Sequence, residues 1–291
     1  LPKILINNTL NLMEKRGPDN QNYFYYKNSD GYNVYLLSSR LNIVNQNKNS
    51  NQPFKINEYV IIFNGEIYNY LYLKQKLKKL GIKVFTSSDT EVILRLFILY
   101  GEKCLKYFEG MWSLVILNTK NNKLFFSRDR FGEKPLFYMS NVKDELYFGS
   151  ETKFIQSLYE KKININSNQL INYLNLGYKS LYKYNESYFE NIKEFPKRSF
   201  SYSKIGRNFS IKIYWKLKFL ENKNITEIDA IKETRKKVIN SIEKTINANV
   251  PVGICLSGGI DSSIIASVTK KILNKNIKTF SIFDNDPRYD E

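Results

Sequence analysis

The sequence predicts two consecutive domains, residues 1–205 and 226–291, joined by a linker at 206–225. The first is an α+β domain with mostly antiparallel sheets, because residues 33–147 contain short runs of β-branched and aromatic residues interrupted by two helical patterns. The second opens with a long helix, an apolar strand, a glycine loop and another helix, the order in which a parallel α/β sheet begins. A chain of 291 residues is long enough for both.

Five strand candidates and two helices account for most of the first domain. One helix covers about residues 70–80 and ends at Gly81, and the other begins at about Thr90. The letters TKNN between the third and fourth strands fit a hairpin turn. Residues 180–207 are polar and turn-rich and lead toward the linker. The strand candidates are YNVYLLSS, YVIIFNGEIY, MWSLVILN, KLFFSR and ELYFGS.

The charge balance is strongly basic, with a formal net charge of +17 at pH 7. A charge of this size raises the hypothesis of nucleic-acid binding. However, the lysines are spread along the whole chain together with the asparagines, and no RNA-binding or helix-turn-helix pattern frames the aromatic residues. We therefore interpret the charge as a coding bias and expect no nucleic-acid partner.

The sequence also bears on location. No run approaches the roughly 18 uncharged apolar residues of a membrane span. The opening residues, LPKILINNTL, lack the basic segment, apolar run and cleavage site of a signal peptide. We expect a cytoplasmic protein without a membrane partner.

The absence of histidine narrows the chemistry more than the charge does. It excludes Ser-His-Asp and Cys-His catalysis, a histidine general base and histidine-ligated zinc. The two cysteines, Cys104 and Cys255, form no CxxC pair, and we expect buried free thiols. Catalysis must therefore use carboxylates, hydroxyls, backbone amides, bound cations or a terminal amine.

The stretch VPVGICLSGGIDSSII, residues 250–265, predicts a strand, a tight loop and the start of a helix. Gly258 and Gly259 have no Cβ, so the backbone amides of the loop can approach a ligand closely. The helix N-terminus adds unpaired N–H donors and a positive dipole end, which together suit phosphate. The Walker A and dinucleotide-binding patterns are both absent. A simple turn capped by Asp261 is the alternative.

Seven further motifs lie upstream of this loop, in the order RGPD, RLNIV, FNGEIYNY, SSDTEVIL, GMWSLVI, RDRFGEKPLFY and the pair Tyr214–Trp215. In this order, and with the SGGIDSS loop as a pyrophosphate loop, the sequence resembles glutamine-hydrolysing asparagine synthetases, which join a glutamine amidotransferase domain to an ATP-pyrophosphatase domain. The resemblance implies that residues 1–205 form a four-layer αββα sandwich of the N-terminal-nucleophile hydrolase type and that residues 226–291 begin the ATP-binding domain.

The resemblance implies a glutamine site in the first domain. It places Arg40 on the α-carboxylate of glutamine, a role that suits a planar, permanently charged fork. It places Asp89 on the α-ammonium group, and Glu66 also helps to hold the substrate. Asn64 and Gly65 would form the oxyanion hole. The family's nucleophile is an N-terminal cysteine whose own amine is the base, so no histidine is needed. The implied glutamine-binding set also includes Leu41, Asn42, Ile43 and Val44.

Local structural alternatives exist for these assignments. Asn64–Gly65 is by itself a strong hairpin signal. Ser88 and Glu91 fit the S-x-x-E capping box, which would leave Asp89 in the first helical turn, facing a ligand. A surface arginine at a strand end is the alternative for Arg40.

The resemblance implies a second site, for ATP. Leu256 and Ile282 would contact adenine and ribose, although both also suit the core of a parallel sheet. The loop from Ser257 to Ser262 would hold the pyrophosphate, and Asp261 would bind Mg²⁺. In the family, ATP activates the aspartate side chain as an acyl-adenylate, which ammonia then attacks. The implied ATP-binding set is Leu256, Ser257, Gly258, Gly259, Asp261, Ser262 and Ile282.

The resemblance also implies that the chain is a fragment. The family's N-terminal cysteine and first strand would precede Leu1, and its synthetase domain would continue beyond Glu291. We therefore expect the 291 residues alone to be inactive. The expected ligands of the whole protein are glutamine, aspartate, ATP and Mg²⁺, and a homodimer is a further expectation. The alternatives are a relative that amidates another carboxylate, and an inactive binding module.

Overall fold

The computed structural model describes residues 1–42, 48–140, 145–181, 185–205, 210–222, 224–246 and 250–282. The chain divides into two compact units, Leu1–Lys216 and Leu217–Glu291. The helices are α1 Lys3–Met13, α2 Tyr70–Lys79, α3 Asp89–Tyr100, α4 Thr152–Leu158, α5 Ser167–Leu176, α6 Glu227–Thr245 and α7 Ile260–Ser267. The strands are β1 Asn20–Lys27, β2 Asn33–Arg40, β3 Phe54–Ile56, β4 Tyr59–Ile67, β5 Gly110–Asn118, β6 Lys123–Arg128, β7 Phe137–Ser140, β8 Leu146–Gly149, β9 Lys193–Glu194, β10 Ser199–Lys204, β11 Ser210–Ile213, β12 Gly253–Cys255 and β13 Lys278–Phe280.

A six-stranded antiparallel sheet is the centre of the first unit, with strand order β11-β10-β6-β5-β4-β3. Its middle strand, β5, is buried on both faces. Because side chains alternate along a strand, β5 contributes Trp112, Leu114 and Ile116 to one core and Val115 and Leu117 to another. The sheet is therefore covered on both faces.

Helices α2 and α3 cover one face of this sheet. Leu73 and Leu77 of α2 and Leu96 of α3 are fully buried against it. The ring of Phe97 lies 4.6 Å from that of Phe125 on β6, centroid to centroid. Burial of each such side chain contributes about 1.5–3 kcal/mol, so this layer is a main source of stability.

The opposite face packs on a second layer of strands, formed by the β1–β2 pair and the sheet β8-β7-β9. Val34 and Leu36 of β2 share a core with Val115 of β5. Phe148 of β8 meets Phe126 of β6 edge to face, with centroids 5.2 Å apart. The two layers of strands thus enclose an apolar interior.

Helices α1 and α4 form the outermost layer beyond the second sheet. Ile155 of α4 is buried with Met139 of β7 and Ile192. The two helices touch each other, and the Thr9 hydroxyl donates to the Ser157 hydroxyl at 2.8 Å. The order of layers is helices, sheet, sheet, helices, which confirms the predicted αββα sandwich.

The chain beyond residue 180 contributes more to this unit than its polar composition suggests. β10, Ser199–Lys204, is an interior strand of the six-stranded sheet. β11, Ser210–Ile213, lies in the range expected to be a linker but pairs with β10. The ring of Tyr214 stacks on Trp112, with centroids 6.1 Å apart. The compact unit accordingly extends to Lys216.

The second unit contains α6, the parallel pair β12–β13, and α7 in between. This is the helix and strand–loop–helix order predicted from the sequence. Cys104 in the first unit is buried as expected, but Cys255 at the end of β12 is exposed, so the expectation for that thiol was wrong. No helix in the described part of the chain is long and apolar enough to cross a membrane.

Candidate functional site

A cavity of roughly 680 Å³ lies in the first unit. We call it the β2–β8 cavity, because residues of β2 and β8 line it from two sides. Asn42 is not among its lining residues; its backbone N–H donates to the Asp19 carboxylate at 2.7 Å. Ile43 and Val44 lie outside the described residues. Six of the predicted glutamine-site residues line the cavity: Arg40, Leu41, Asn64, Gly65, Glu66 and Asp89.

Asn64 and Gly65 lie inside strand β4, opposite Ser113 and Trp112 of β5. The hairpin alternative is therefore wrong. Gly65 has φ 155°, and a Cβ at this position would run into the carbonyl oxygen of Met111. The Asn64 amide Nδ2 donates to the Ser150 hydroxyl at 3.1 Å. Tertiary pairing overrides the local turn preference here and leaves the Asn64 amide at the cavity wall.

Asp89 begins helix α3, and only 6% of it is exposed. Its carboxylate accepts the Ile67 backbone N–H at 3.1 Å and the Ser88 hydroxyl at 3.4 Å. Burial raises the pKa of Asp89 to about 6, against the opposing effects of these hydrogen bonds and of the Arg40 charge. Asp89 is thus a rigidly held carboxylate that gains from a cationic partner.

The N-terminus of α3 departs from the predicted capping box. Ser88 is the N-cap, and its hydroxyl accepts the Thr90 N–H at 3.2 Å. Glu91 does not return to the Ser88 N–H; its carboxylate accepts the Phe85 N–H at 3.0 Å and the Thr86 N–H at 2.6 Å. The cap therefore also ties down the loop before α3, which fixes the position of Asp89.

Arg40 is the last residue of β2. Its guanidinium donates to the Asn51 side-chain oxygen at 3.0 Å. Burial lowers the pKa of Arg40, while the negative charges of Asp89 and Asp19 favour its charged form. Arg40 and Asp89 therefore place opposite charges in one cavity.

Glu66 follows Gly65 on β4, and 9% of it is exposed. Its pKa is raised to about 7 by burial and then by the negative charge of Asp89, with Lys134 acting in the opposite direction. Two neighbouring carboxyl groups and Arg40 give the cavity the charge pattern of a receptor for a zwitterion, such as an α-amino acid.

Several other residues line the cavity, although no role was predicted for them from the sequence. Gln52 accepts the Phe63 N–H at 2.6 Å and donates to Thr90 Oγ1 at 3.4 Å, so it joins β4 to α3. Arg16 forms an ion pair with Glu151 at 2.9 Å. The signal for Arg16 was its place in the RGPD motif, but Gln52 lies in none of the recognised motifs.

The segment Leu256–Ser262, which we call the glycine loop, follows β12 and includes the first residues of α7. Gly258 has φ 86°, a conformation that favours glycine. The hydroxyls of Ser257 and Ser262 lie 3.2 Å apart, and the Gly259 N–H donates to Ser257 Oγ at 3.4 Å. Asp261 is exposed in the first turn of α7. The loop thus presents amides and hydroxyls to solvent.

Leu256 and Ile282 follow the ends of two parallel, paired strands. The Leu256 N–H donates to the Phe280 carbonyl at 2.8 Å, so both residues lie at the same edge of the sheet. Ile282 is fully exposed and Leu256 is half-buried. Ligands of parallel α/β sheets commonly bind at this carboxyl-terminal edge, and nucleotide contact by this pair stays a prediction.

Comparison with known protein families identifies the family of this chain. Residues 2–215 match the family model of the glutamine amidotransferase domain. The chain belongs to this family. Residues 233–291 match the asparagine synthase family. The amidotransferase domain is thus followed by an asparagine synthase segment, which confirms the resemblance stated from the motifs.

Individual relatives agree with this assignment. A putative glutamine-hydrolysing asparagine synthetase 2 of Methanocaldococcus jannaschii is 33% identical over 99% of this chain and 59% of its own length. Glutamine-hydrolysing asparagine synthetase 1 of Bacillus subtilis is 33% identical over 96% of this chain and 42% of its own length. The chain therefore spans only about half of the length of the curated relatives it matches.

Among solved structures, the glutamine phosphoribosylpyrophosphate amidotransferase of B. subtilis shares 17% identity with this chain. The match has a TM-score of 0.39 and covers 78% of this chain and 46% of that one. The fold assignment depends on the amidotransferase family match and on the stacked sheets of the first unit.

Proposed function

We propose that the first unit binds glutamine in the β2–β8 cavity and hydrolyses its amide to glutamate and ammonia. In the whole protein the ammonia would amidate aspartate in an ATP-dependent step. The observation that carries the proposal is the convergence of Arg40, Asp89 and the Asn64–Gly65 pair on one cavity in a chain of the amidotransferase family. Aspartate is proposed as the acceptor on the names of the relatives.

Charge complementarity orients the substrate in this proposal. The guanidinium of Arg40 pairs with the α-carboxylate of glutamine, and Asp89 pairs with the α-ammonium group. An ammonium ion beside Asp89 offsets the burial that raises its pKa to about 6, so binding and ionisation favour each other. Hydrogen bonds to charged groups contribute about 1.5–3 kcal/mol each, enough for these two contacts to dominate the affinity.

The oxyanion contact comes from β4. On binding, the Asn64 Nδ2 group would exchange its hydrogen bond with Ser150 for one to the amide oxygen of glutamine. The Gly65 N–H would donate from the same side. As the nucleophile attacks, this oxygen becomes negative and both bonds strengthen, and one such donor is typically worth about 3 kcal/mol in the transition state.

The nucleophile in this proposal is the family's N-terminal cysteine, whose own amine takes the proton. Neither cysteine of this chain suits the role: burial raises the pKa of the Cys104 thiol far above its usual range, and Cys255 lies in the second unit. Among the described strands, β2 pairs only with β1 and β8 only with β7, so both have a side available toward the cavity. A strand carrying the cysteine would pair with these two edges.

The glycine loop is the proposed pyrophosphate site of ATP. Its amides, the N-terminus of α7 and the hydroxyls of Ser257 and Ser262 fit phosphate oxygens, and Leu256 and Ile282 would contact the nucleoside. Asp261 is the one carboxylate of the loop, and Mg²⁺ is commonly held by one or two carboxylates together with phosphates. When bound, Mg²⁺ would neutralise charge on the phosphates. We place this chemistry in the cytoplasm.

Calorimetry with three ligands tests the glutamine site. The ligands are L-glutamine, 4-carbamoylbutanoate, which lacks the α-ammonium group, and 4-aminobutanamide, which lacks the α-carboxylate. Arg40→Met should weaken glutamine and 4-carbamoylbutanoate binding but leave 4-aminobutanamide unchanged. Asp89→Asn should weaken the binding of glutamine and of 4-aminobutanamide but leave that of 4-carbamoylbutanoate unchanged. The exposed residue Glu190 supplies the control Glu190→Gln, which should bind all three normally.

Two outcomes would reject the site assignment. One is no glutamine binding by the unsubstituted protein. The other is equal weakening of all three ligands by both substitutions, because that would indicate a general loss of structure rather than recognition of the two charged ends.

A further inference from the structure

The RDRFGEKPLFY motif, residues 128–138, builds a rigid loop around one buried carboxylate. Asp129 is completely buried and has no charged partner among the described ion pairs. Among the described residues, its two oxygens accept hydrogen bonds only from backbone N–H groups, and such a set of donors fixes the conformation of the loop. The donors are Phe131 at 2.9 Å, Gly132 at 2.6 Å, Glu133 at 3.0 Å, Lys134 at 3.0 Å and Trp112 at 3.3 Å.

Arg128 holds the same loop from its other side. Its Nε donates to the Lys134 carbonyl at 2.7 Å, and its Nη2 donates to the Gly132 carbonyl at 2.8 Å. Nη1 forms an ion pair with Glu194 at 2.8 Å and donates to the Phe195 carbonyl at 2.7 Å. Together with Asp129, Arg128 fixes Lys134 through both its N–H and its carbonyl.

The residue that this loop presents to the β2–β8 cavity is Lys134. Its side chain is half-buried, and its ammonium group has no hydrogen-bond or ion-pair partner among the described residues. Burial and then the charge of Arg16 lower the pKa of Lys134, while Glu66 favours its charged form. No hydrogen bond or ion pair among the described residues therefore compensates this ammonium group for its partial loss of contact with water.

We propose that Lys134 is a positioning residue of the cavity: its ammonium group, on the loop held by Arg128 and Asp129, favours the negatively charged form of Glu66, so that the α-ammonium group of glutamine binds between Glu66 and Asp89. This inference rests on the function proposed above and deepens it. Two carboxylates in one cavity oppose each other's ionisation, and a fixed cation beside one of them relieves that effect. Lys134 does not touch the substrate in this account.

The charges around Glu66 support this role. Asp89 raises the pKa of Glu66, and Lys134 is the cation that opposes it. The charge of Arg40 acts on Asp89 and Asp19, whereas that of Lys134 acts on Glu66, and both cations line the same cavity. The titratable groups that face Glu66 or its partners are Asp89 on α3, Tyr70 on α2, Arg40 on β2, Tyr68 after β4, Glu133, Lys134 and Asp129 on the loop, and Arg16.

The direction in which pH changes glutamine affinity follows from the ionisation of Glu66. Glu66, with a pKa of about 7, loses its charge as the pH falls through neutrality, so glutamine affinity should fall in the same range. Removing the Lys134 charge raises the pKa of Glu66 further, so the loss of affinity should begin at a higher pH. At high enough pH Glu66 is ionised with or without the lysine, and the affinities should converge.

The experiment measures glutamine affinity from about pH 5.5 to 8.5 in the unsubstituted protein, Lys134→Met, Lys134→Arg and the control Lys78→Met. Lys78 is exposed on α2 and does not line the cavity. We expect Lys134→Met to bind glutamine several-fold more weakly near neutral pH and almost normally at pH 8.5. Lys134→Arg should restore the original pH profile, and Lys78→Met should keep it.

A second measurement does not require glutamine binding. The side-chain carboxyl carbon of Glu66 is titrated by NMR in the ligand-free protein and assigned with Glu66→Gln. Its midpoint should be higher in Lys134→Met than in the unsubstituted protein and in Lys134→Arg. An unchanged midpoint overturns the inference, as does a loss of affinity equal at every pH. If the midpoint moves but the unsubstituted protein does not bind glutamine, the proposed function fails rather than the Lys134–Glu66 coupling.

Discussion

The β2–β8 cavity and the glycine loop hold their polar groups in opposite ways. In the cavity, Asp89 and Glu66 are buried, their pKa values are raised, and each is coupled to a cation carried by another segment of the chain. In the glycine loop, Asp261 is exposed, and the hydroxyls of Ser257 and Ser262 interact with each other. The cavity is assembled from distant segments, whereas the loop is one contiguous stretch.

This difference determines how each site responds to change. Buried charges interact through a medium of low effective dielectric constant, so removal of one alters the ionisation of its neighbours. Exposed groups are screened by water and can be replaced with little effect on the fold.

Asn64→Ala should have the largest effect on activity. In a chain extended upstream by a strand that begins with the proposed nucleophilic cysteine, we expect the glutaminase kcat to fall roughly 10²- to 10³-fold with little change in KM, because the lost hydrogen bond strengthens only in the transition state. Steady-state ammonia release measures both constants. Asp261→Ala, in the glycine loop, is the control and should leave glutamine hydrolysis unchanged. An unchanged kcat in Asn64→Ala would remove the oxyanion role.

Gly65→Ala should have the largest effect on stability. A methyl group at Gly65 meets the Met111 carbonyl, and the added strain and steric overlap should cost about 3 kcal/mol or more of unfolding free energy. Gly81→Ala is the matched control: Gly81 also has positive φ, but a Cβ there would meet open space, so about 1 kcal/mol is expected. Equal losses in urea denaturation would show that the close approach of β4 and β5 is unimportant.

The buried carboxyl groups should appear in the pH dependence of stability. Asp89 and Glu66 have folded-state pKa values of about 6 and 7, above those of the unfolded chain. Between about pH 4 and 7 the folded state therefore binds more of their protons, and their contribution to stability falls as the pH rises through this window. The double substitution Asp89→Asn with Glu66→Gln should remove this contribution, as measured by denaturation at each pH. A curve parallel to that of the original protein would contradict it.

Ser262→Ala should have the smallest effect. Its hydroxyl contacts only Ser257 and the Gly259 backbone in an exposed loop, so we expect unfolding free energy to change by less than about 0.5 kcal/mol. Glutamine affinity should not change at all. A large loss of unfolding free energy in thermal or urea denaturation would show that the glycine loop belongs to a cooperative core and is not an independent exposed segment.

Sequence patterns predicted well the strands that contain a clear apolar run. The KLFFSR candidate coincides with β6, Lys123–Arg128, and the TKNN turn joins it to β5. β10 was missed because the residues it buries, Ser199, Ser201 and Ser203, are small and polar, and they satisfy the pattern of a strand only once β6 and β11 lie beside them. Composition alone cannot reveal such a strand.

The candidate site residues likewise differ in how far the sequence alone could predict them. The strand–loop–helix order around the glycine loop was predictable because it depends on neighbouring residues, whereas phosphate binding by this loop stays a prediction. Asn64–Gly65 is locally a turn signal and becomes a strand through pairing with β5. Lys134 belongs to the RDRFGEKPLFY motif, but the motif alone does not show that Asp129 and Arg128 bond the loop that presents this lysine to the cavity. The long-range contacts of this loop, from Arg128 to Glu194 and to the Phe195 carbonyl, lie outside the motif.

The most direct test of two independent sites is a glutamine titration of the ¹⁵N-labelled chain followed by NMR. Gly65 and Ile67 lie on the wall of the β2–β8 cavity or bond to it, and the Ile67 N–H donates to Asp89. We predict that glutamine shifts the amide resonances of Gly65 and Ile67 and leaves those of Gly258 and Gly259 in place. Shifts confined to the glycine loop, or none in β4, would contradict the assignment of the cavity to glutamine.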